Sequence, residues 1–251
     1  MKKENIIHGN FVGATSPVTV KNKTAKVFKP RLSRVVYSDF DGTVTKEDSV
    51  NKFLSLFARK EWLDVEDEWV RGEIGSKECL LRQVNLIPEI SMQDLADYID
   101  SIEIDEAFID FYNYIQSKDS ELVIVSDGFD LFIKETLRKY NLKGIRYYAN
   151  TLVFKNNKLS LEFNHGSPYC NSGSGVCKCS AISIKDFCYI GDGFSDMCVA
   201  KKAETLFAKK NLKKYCDKEK IKYFNYETFG DVLDCFMQEG EFNAKLNYVN
   251  N

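Results

Sequence analysis

The sequence predicts an α/β protein: an open, largely parallel sheet with a block of helices inserted after its first strand. Three observations predict it. Short apolar runs at 34–38, 121–125 and 187–190 lack the alternation of half-exposed strands and suit strands buried on both faces. Each run ends in a polar, glycine-containing tract: Asp39-Phe40-Asp41-Gly42-Thr43, Ser126-Asp127-Gly128 and Gly191-Asp192-Gly193. Between the first two, apolar residues recur at three- and four-residue spacing with no convincing strand. Ligands of open parallel sheets bind beyond the carboxyl ends of the strands, so three polar strand ends mark one expected site.

In chain order, residues 1–33 read as a basic, flexible extension. Residues 34–46 and 119–251 form the expected core domain. Residues 47–118 form the expected helical cap, with Phe53, Leu54, Phe57, Leu80, Leu81 and Val84 on its periodic faces. Ser91 is placed to cap a helix, with Asp94 three residues on. A further amphipathic helix is expected over 106–117, and another over 129–140 after the second strand. Residues 145–149 are strand-like. Residues 152–154 and 159–163 flank Lys155-Asn156-Asn157-Lys158 and read as a hairpin. Residues 164–175 are loop by composition. A helix from Ser195, short strands near 206–208 and 223–224, and a final helix over 229–237 complete the pattern.

Composition narrows the function. The chain has 251 residues, 44% hydrophobic and 29% charged, with formal net charge −2, which is ordinary globular composition. Residues 1–34 carry eight Lys/Arg and one acidic residue, so the remainder is about −9. That balance argues against a nucleic-acid binder. No apolar run has bilayer-spanning length, and no signal-like start is visible, so a cytoplasmic protein without membrane partners is expected. Eight cysteines in such a chain suggest free thiols or a metal site before disulfides. Cys79, Cys188, Cys198 and Cys235 sit among apolar residues and read as core.

The strand ends carry the chemistry. Asp39 and Asp41 straddle Phe40, whose side chain points into the core if the strand persists. One carboxylate can attack phosphorus; the other can protonate a leaving alcohol and later deprotonate water. Gly42 permits a sharp exit from the sheet, and the Thr43 hydroxyl can hold Asp41 or a phosphate. Turn-capping aspartates are the plainer alternative. The Ser126 hydroxyl and the N–H groups of Asp127 and Gly128 can form a small anion nest. Lys178 can neutralise phosphate and nucleophile together. Asp192 and Asp196 offer oxygen ligands suited to Mg²⁺, with Asp196 also placed to cap a helix or to orient Lys178.

Taken in order, Asp-x-Asp-Gly-Thr, Ser, Lys and Gly-Asp-Gly-x-Ser-Asp resemble the four motifs of the haloacid dehalogenase (HAD) superfamily, over residues 34 to about 235. The resemblance implies a Rossmann-like core with a C1-type helical cap of the phosphoserine-phosphatase-like branch. It implies a phosphoric monoester hydrolase with Asp39 as nucleophile and Asp41 as acid/base. Mg²⁺ would be held by Asp39, Asp41 (through its carbonyl) and Asp192. Ser126 and Lys178 would bind phosphate, and Asp196 would support metal and lysine. Within the branch, Phe57-Ala58-Arg59-Lys60-Glu61-Trp62, Asn164-His165, the cysteine-rich approach to Lys178 and Leu206-Phe207-Ala208-Lys209 are similar to the methionine-salvage phosphatases. Phosphoserine phosphatases resemble one another in a glutamate where this chain aligns Asp48, a substrate-side position, and they lack the cysteine-rich loop. The implied partner is a small phosphorylated metabolite; a phospho-accepting signalling or binding module is the non-enzyme alternative. Neither monomer nor homodimer is selected.

Several signals stand apart. His165, Cys170, Cys177 and Cys179 could hold zinc, form a disulfide or remain free thiols. Trp62 and Trp69 read as cap core before substrate stacking. Arg59, Arg71 and Arg82 read as surface groups.

Overall fold

The computed structural model describes residues 32–237; the basic extension expected over 1–33 lies almost wholly outside the described residues. The described chain runs β1 (Val35–Ser38), α1 (Ser49–Phe57), α2 (Trp62–Val70), α3 (Ser76–Asn85), α4 (Met92–Asp100), α5 (Ala107–Ser117), β2 (Glu121–Phe129) and α6 (Asp130–Lys139). It continues with β3 (Arg146–Lys155), β4 (Lys158–Glu162), α7 (Lys178–Ala181), β5 (Cys188–Gly191), α8 (Met197–Ala200), β6 (Thr205–Ala208), α9 (Lys210–Glu219), β7 (Phe224–Asn225) and α10 (Phe229–Met237).

The strands form one sheet in the order β4-β3-β2-β1-β5-β6-β7. All pairs are parallel except the β3–β4 hairpin. The hairpin turns on Asn156 and Asn157, both with positive φ (53° and 58°), as a two-residue turn of this hand requires. β1 lies between β2 and β5, the point where successive strands switch sides of the sheet. Val36, Val123, Ile124, Cys188 and Ile190 are sealed from solvent, which explains the missing alternation.

Three departures from the sequence reading have physical causes. Residues 145–149 and 152–154 belong to a single strand, β3, whose far half pairs with β4 after its near half pairs with β2. β2 extends beyond residue 125, but its register with β3 shifts between Val125 and Phe129, so Ser126-Asp127-Gly128 sits in an irregularity. Beyond β5, residues 194–196 form a tight 3₁₀ turn before α8 begins at Met197.

The insertion divides by packing. α1, α3 and α4 gather Val50, Phe53, Leu54, Leu80, Val84, Leu95 and Tyr98 over Phe129, Phe132, Leu152 and Leu159. Asp48 caps α1 through the Asn51 N–H at 2.8 Å, and Ser91 caps α4 through the Asp94 N–H at 3.0 Å. α5 packs elsewhere: Phe108, Phe111 and Ile115 enter the core beneath β1 and β2, against Phe229 of α10. Helices α1–α4 therefore stand over the strand ends, while α5 covers the sheet. No described helix is long and apolar enough to cross a membrane.

Candidate active site

The carboxyl ends of β1, β2 and β5 open into a cleft of about 360 Å³. Asp39, Asp41, Ser126 and Asp192 line its floor, and residues from α1, α2 and α3 form its roof. The turn after β1 is tightly specified. Phe40 is fully buried, which sends Asp39 and Asp41 to the other side. The Phe40 carbonyl accepts the N–H groups of Thr43, Val44 and Thr45, and the Thr45 hydroxyl accepts the Gly42 N–H at 2.9 Å. Gly42 adopts φ +68°, and a Cβ there would stand 2.6 Å from Asp192 Oδ2 and 2.9 Å from Lys210 Nζ. Both conformation and space require glycine.

Asp39 and Lys178 form the charged centre. Lys178 Nζ lies 2.9 Å from Asp39 Oδ2 and 2.6 Å from Asp196 Oδ1, and the lysine is 1% exposed. Burial works against the Lys178 ammonium, but Asp196 and then Asp39 more than offset it, so its pKa is raised. Burial, then the neighbouring Asp196 charge, pushes the Asp39 carboxyl well up, against the pull of Lys178. Asp41 is raised by burial alone among its larger influences; hydrogen bonds from Ser49 and Ser126 oppose the rise. Ser126 Oγ donates to Asp41 Oδ2 at 3.1 Å, and Ser49 Oγ donates to Asp41 Oδ1.

Asp39, Asp192 and Asp196 are a buried carboxylate cluster that could hold a metal ion. Their donors separate them. Asp196 is saturated: one oxygen accepts Lys178 and Tyr189, the other the N–H groups of Asp192 and Gly193, both at 2.9 Å. It braces the loop and the lysine and has no oxygen to spare. Asp192 keeps fewer partners, Thr43 Oγ1 at 3.2 Å and Lys210 Nζ at 2.9 Å. Burial, then Asp196, raises its pKa. Asp39 and Asp192, the two members of the cluster with oxygens to offer, are hard donors that fit a divalent cation such as Mg²⁺.

The structure brings Asp39, Asp41, Ser126, Lys178, Asp192 and Asp196 together. Other expected residues have different duties. Thr43 is fully buried and bonds Asp192, not Asp41. The Asp127 carboxylate turns from the cleft centre to Ser76, Asn150 Nδ2 at 3.1 Å and the Val176 N–H at 2.8 Å, tying the cap and the cysteine-rich loop to β2. The Gly128 N–H donates to Ser126 Oγ at 2.8 Å, so the expected three-donor nest is partly engaged internally. Asp48 lines the cleft wall as well as capping α1.

The set-aside signals also resolve. Trp62 packs against the cap core, but Trp69 lines the cleft, contrary to the cap-core reading; the amphipathic spacing of α2 does not say which neighbour its face meets. Arg71 and Arg82 pair with Glu73 and Glu68 on the surface. His165 packs edge-on against Tyr148, while Cys179 Sγ lies 3.1 Å from the Cys198 carbonyl. Among the described residues, His165, Cys170, Cys177 and Cys179 do not converge as a metal-ligand group, and all eight cysteines are free. Cys79, Cys188 and Cys235 are buried as expected; Cys198 is half-buried beside the active-site loop.

Ser49, Lys210, Tyr189, Ser76 and Asn150 were not anticipated. A serine at the start of a helix and a lysine after a strand are unremarkable locally; their roles come from partners far away in sequence.

Known proteins fall in line with this geometry. The sequence matches the family described as "Putative Phosphatase" over residues 34–223. It is 28% identical over 211 residues to the 2-hydroxy-3-keto-5-methylthiopentenyl-1-phosphate phosphatase of Brevibacillus brevis, covering 81% of this chain and 95% of that one. The protein of the same name from Bacillus thuringiensis is 29% identical over 208 residues, covering 80% and 94%. Among solved structures, a phospho-aspartyl intermediate analogue of phosphoserine phosphatase superposes with TM-score 0.61 at 20% identity, covering 81% of this chain and 99% of that one. A HAD family hydrolase from Salmonella enterica serovar Typhi superposes with TM-score 0.64 at 19% identity, covering 83% and 73%. With the motif residues assembled on that fold, the chain belongs to the Putative Phosphatase family, a branch of the HAD-type phosphatases acting on phosphoric monoesters.

Proposed function

We propose that the protein hydrolyses a small phosphorylated metabolite through a phospho-aspartate on Asp39, with Mg²⁺ as its metal. The observation that carries this reading is the Asp39–Lys178 pair at the cleft floor, beside an Asp41 carboxyl held by two hydroxyls. Asp39 Oδ attacks phosphorus, forming an acyl phosphate, while Asp41, whose raised pKa favours the acid form, gives its proton to the leaving oxygen. Water, deprotonated by Asp41, then cleaves the acyl phosphate and regenerates both carboxyls. Lys178 and Ser126 receive phosphoryl charge. Asp39, Asp192 and the Asp41 carbonyl would hold Mg²⁺, which supplies charge neutralisation to the transferring group when bound.

For the substrate, the relatives' names favour 2-hydroxy-3-keto-5-methylthiopentenyl-1-phosphate over phosphoserine. The cleft agrees. Val50, Val70 and Leu80 offer apolar wall, Asp48 and Glu66 add carboxylates, and no arginine is among the described lining residues. The lining lysine, Lys210, is paired with Asp192, so the carboxylate of phosphoserine would have to compete with Asp192 for it.

Phosphate release from these two esters and from p-nitrophenyl phosphate, with Mg²⁺ and with EDTA, tests the reading. Asp39→Asn should retain below about 1% of turnover. Retention above roughly 5%, or release indifferent to EDTA, overturns it.

A further inference from the structure

Trp69 and Phe194 meet across the cleft. Trp69 lies near the end of α2, and Phe194 follows Gly193 in the loop beyond β5. Their ring centroids are 5.7 Å apart with planes at 78°, an edge-to-face contact. Both are half-buried and both line the cleft beside Val50, Val70 and Leu80. Neither ring belongs to any of the three buried apolar clusters that hold the fold together. α2 itself buries only Val65 and packs on α3, so Trp69 is not placed by a deep core. Phe194 stands two residues beyond Asp192, in a loop otherwise built from glycine, serine and aspartate. Two large rings are therefore concentrated at the mouth of the phosphate site without a folding duty that would put them there.

We propose that Trp69 and Phe194 are specificity residues that grip an uncharged, apolar segment of the leaving alcohol while Asp39 engages its phosphate. This rests on the phosphatase reading and refines it: the substrate class is a phosphomonoester whose alcohol carries several carbons, or a thioether, free of charge beyond the first few atoms. A hydrophobic site discriminates by roughly 10- to 200-fold per methylene, so the preference is measurable with simple alkyl esters.

The probes are pentyl and methyl phosphate for turnover, and pentyl- and methylphosphonate for calorimetric binding with Mg²⁺. Wild type should prefer pentyl phosphate in kcat/KM and bind pentylphosphonate more tightly. Trp69→Ala should lower the pentyl-to-methyl ratio by about tenfold or more, chiefly through KM for the pentyl ester, and Trp69→Phe should restore most of it. Phe194→Ala should do the same; because its loop also carries Asp192, the Trp69 variants decide the matter if it fails to fold. Equal losses for both esters, or no pentyl preference in wild type, overturns the proposal. Tighter pentylphosphonate binding that Trp69→Ala erases, in a protein that hydrolyses neither ester, upholds the aromatic grip and removes the phosphatase reading instead.

Discussion

Lys178 Nζ stands 2.9 Å from Asp39 Oδ2, and the same ammonium stands 2.6 Å from Asp196 Oδ1, with all three side chains sealed from bulk solvent. Removing the shared cation leaves two buried carboxylates facing each other. Breaking a buried ion pair from one side costs about 3–5 kcal/mol. Lys178→Met should therefore lose that much in urea unfolding at pH 8, besides losing turnover. The loss should shrink toward pH 4, where Asp39, already raised, takes a proton and the repulsion falls. A pH-independent loss would mean that packing of the lysine stem, not its charge, carries the stability.

Asp48 gives a second pH signature. Desolvation where Asp48 meets the cleft, then the Asp41 carboxylate, pushes its pKa up to about 7 from a reference of 3.8, although the residue is exposed. The folded state thus holds this proton more tightly than the unfolded chain does. Its stabilising contribution is fully present below about pH 4 and is lost as pH rises toward 7. Asp48→Asn keeps an N-cap acceptor for the Asn51 N–H and removes the titration. In EDTA, the variant's melting temperature relative to wild type should be higher at pH 8 than at pH 4. A difference that does not change between these pH values would refute the assignment.

Lys210 bears on metal affinity. Its ammonium contacts Asp192 Oδ2 at 2.9 Å and the Gly42 carbonyl at 3.1 Å, yet the side chain is half-exposed and free to swing aside. Unit charges 4 Å apart interact by about 4 kcal/mol at an effective dielectric of about 20; motion of the lysine into water relieves most of that. Lys210→Met should tighten Mg²⁺ binding by about three- to tenfold in calorimetry, since a competing cation leaves Asp192. Weaker binding would show that Lys210 aligns Asp192 rather than competing for it.

What could be read in advance was local. Asp39, Asp41, Ser126 and Asp192 announce themselves because each closes a buried apolar run, and strand ends in a parallel sheet converge. Thr43 was legible as a polar site residue but not in its partner: Asp192 is 149 positions away, while Asp41 is only two residues away in sequence. Lys210 bonds Gly42 over 168 positions, and Ser76 bonds Asp127 over 51, with no periodicity to report either. The packing of α5 was hidden for a related reason. Phe108, Phe111 and Ile115 form the same three- and four-residue stripe whether a helix covers a sheet or builds a cap. The contacts that distinguish the two, with β1, β2 and Phe229 of α10, come from elsewhere in the chain.

The two hydroxyls on Asp41 should be separable by kinetics. Ser49 donates to Asp41 Oδ1 from the first turn of α1, and Ser126 donates to Oδ2 from the end of β2. Ser49 is buried and its carbonyl is held by the Tyr98 hydroxyl, so it can orient Asp41 but presents little to a phosphate. Ser126 lines the cleft floor beside Gly128 and can address both. Both bonds lower the Asp41 pKa against the effect of burial, so loss of either raises it. Ser49→Ala should reduce kcat by about tenfold with little change in KM, and should shift the limb of the kcat profile that reports Asp41 to higher pH. Ser126→Ala should shift the same limb but also raise KM, because a phosphate contact is lost. Identical KM effects from the two serines would place Ser49 on the substrate and assign the helical cap a direct phosphate contact.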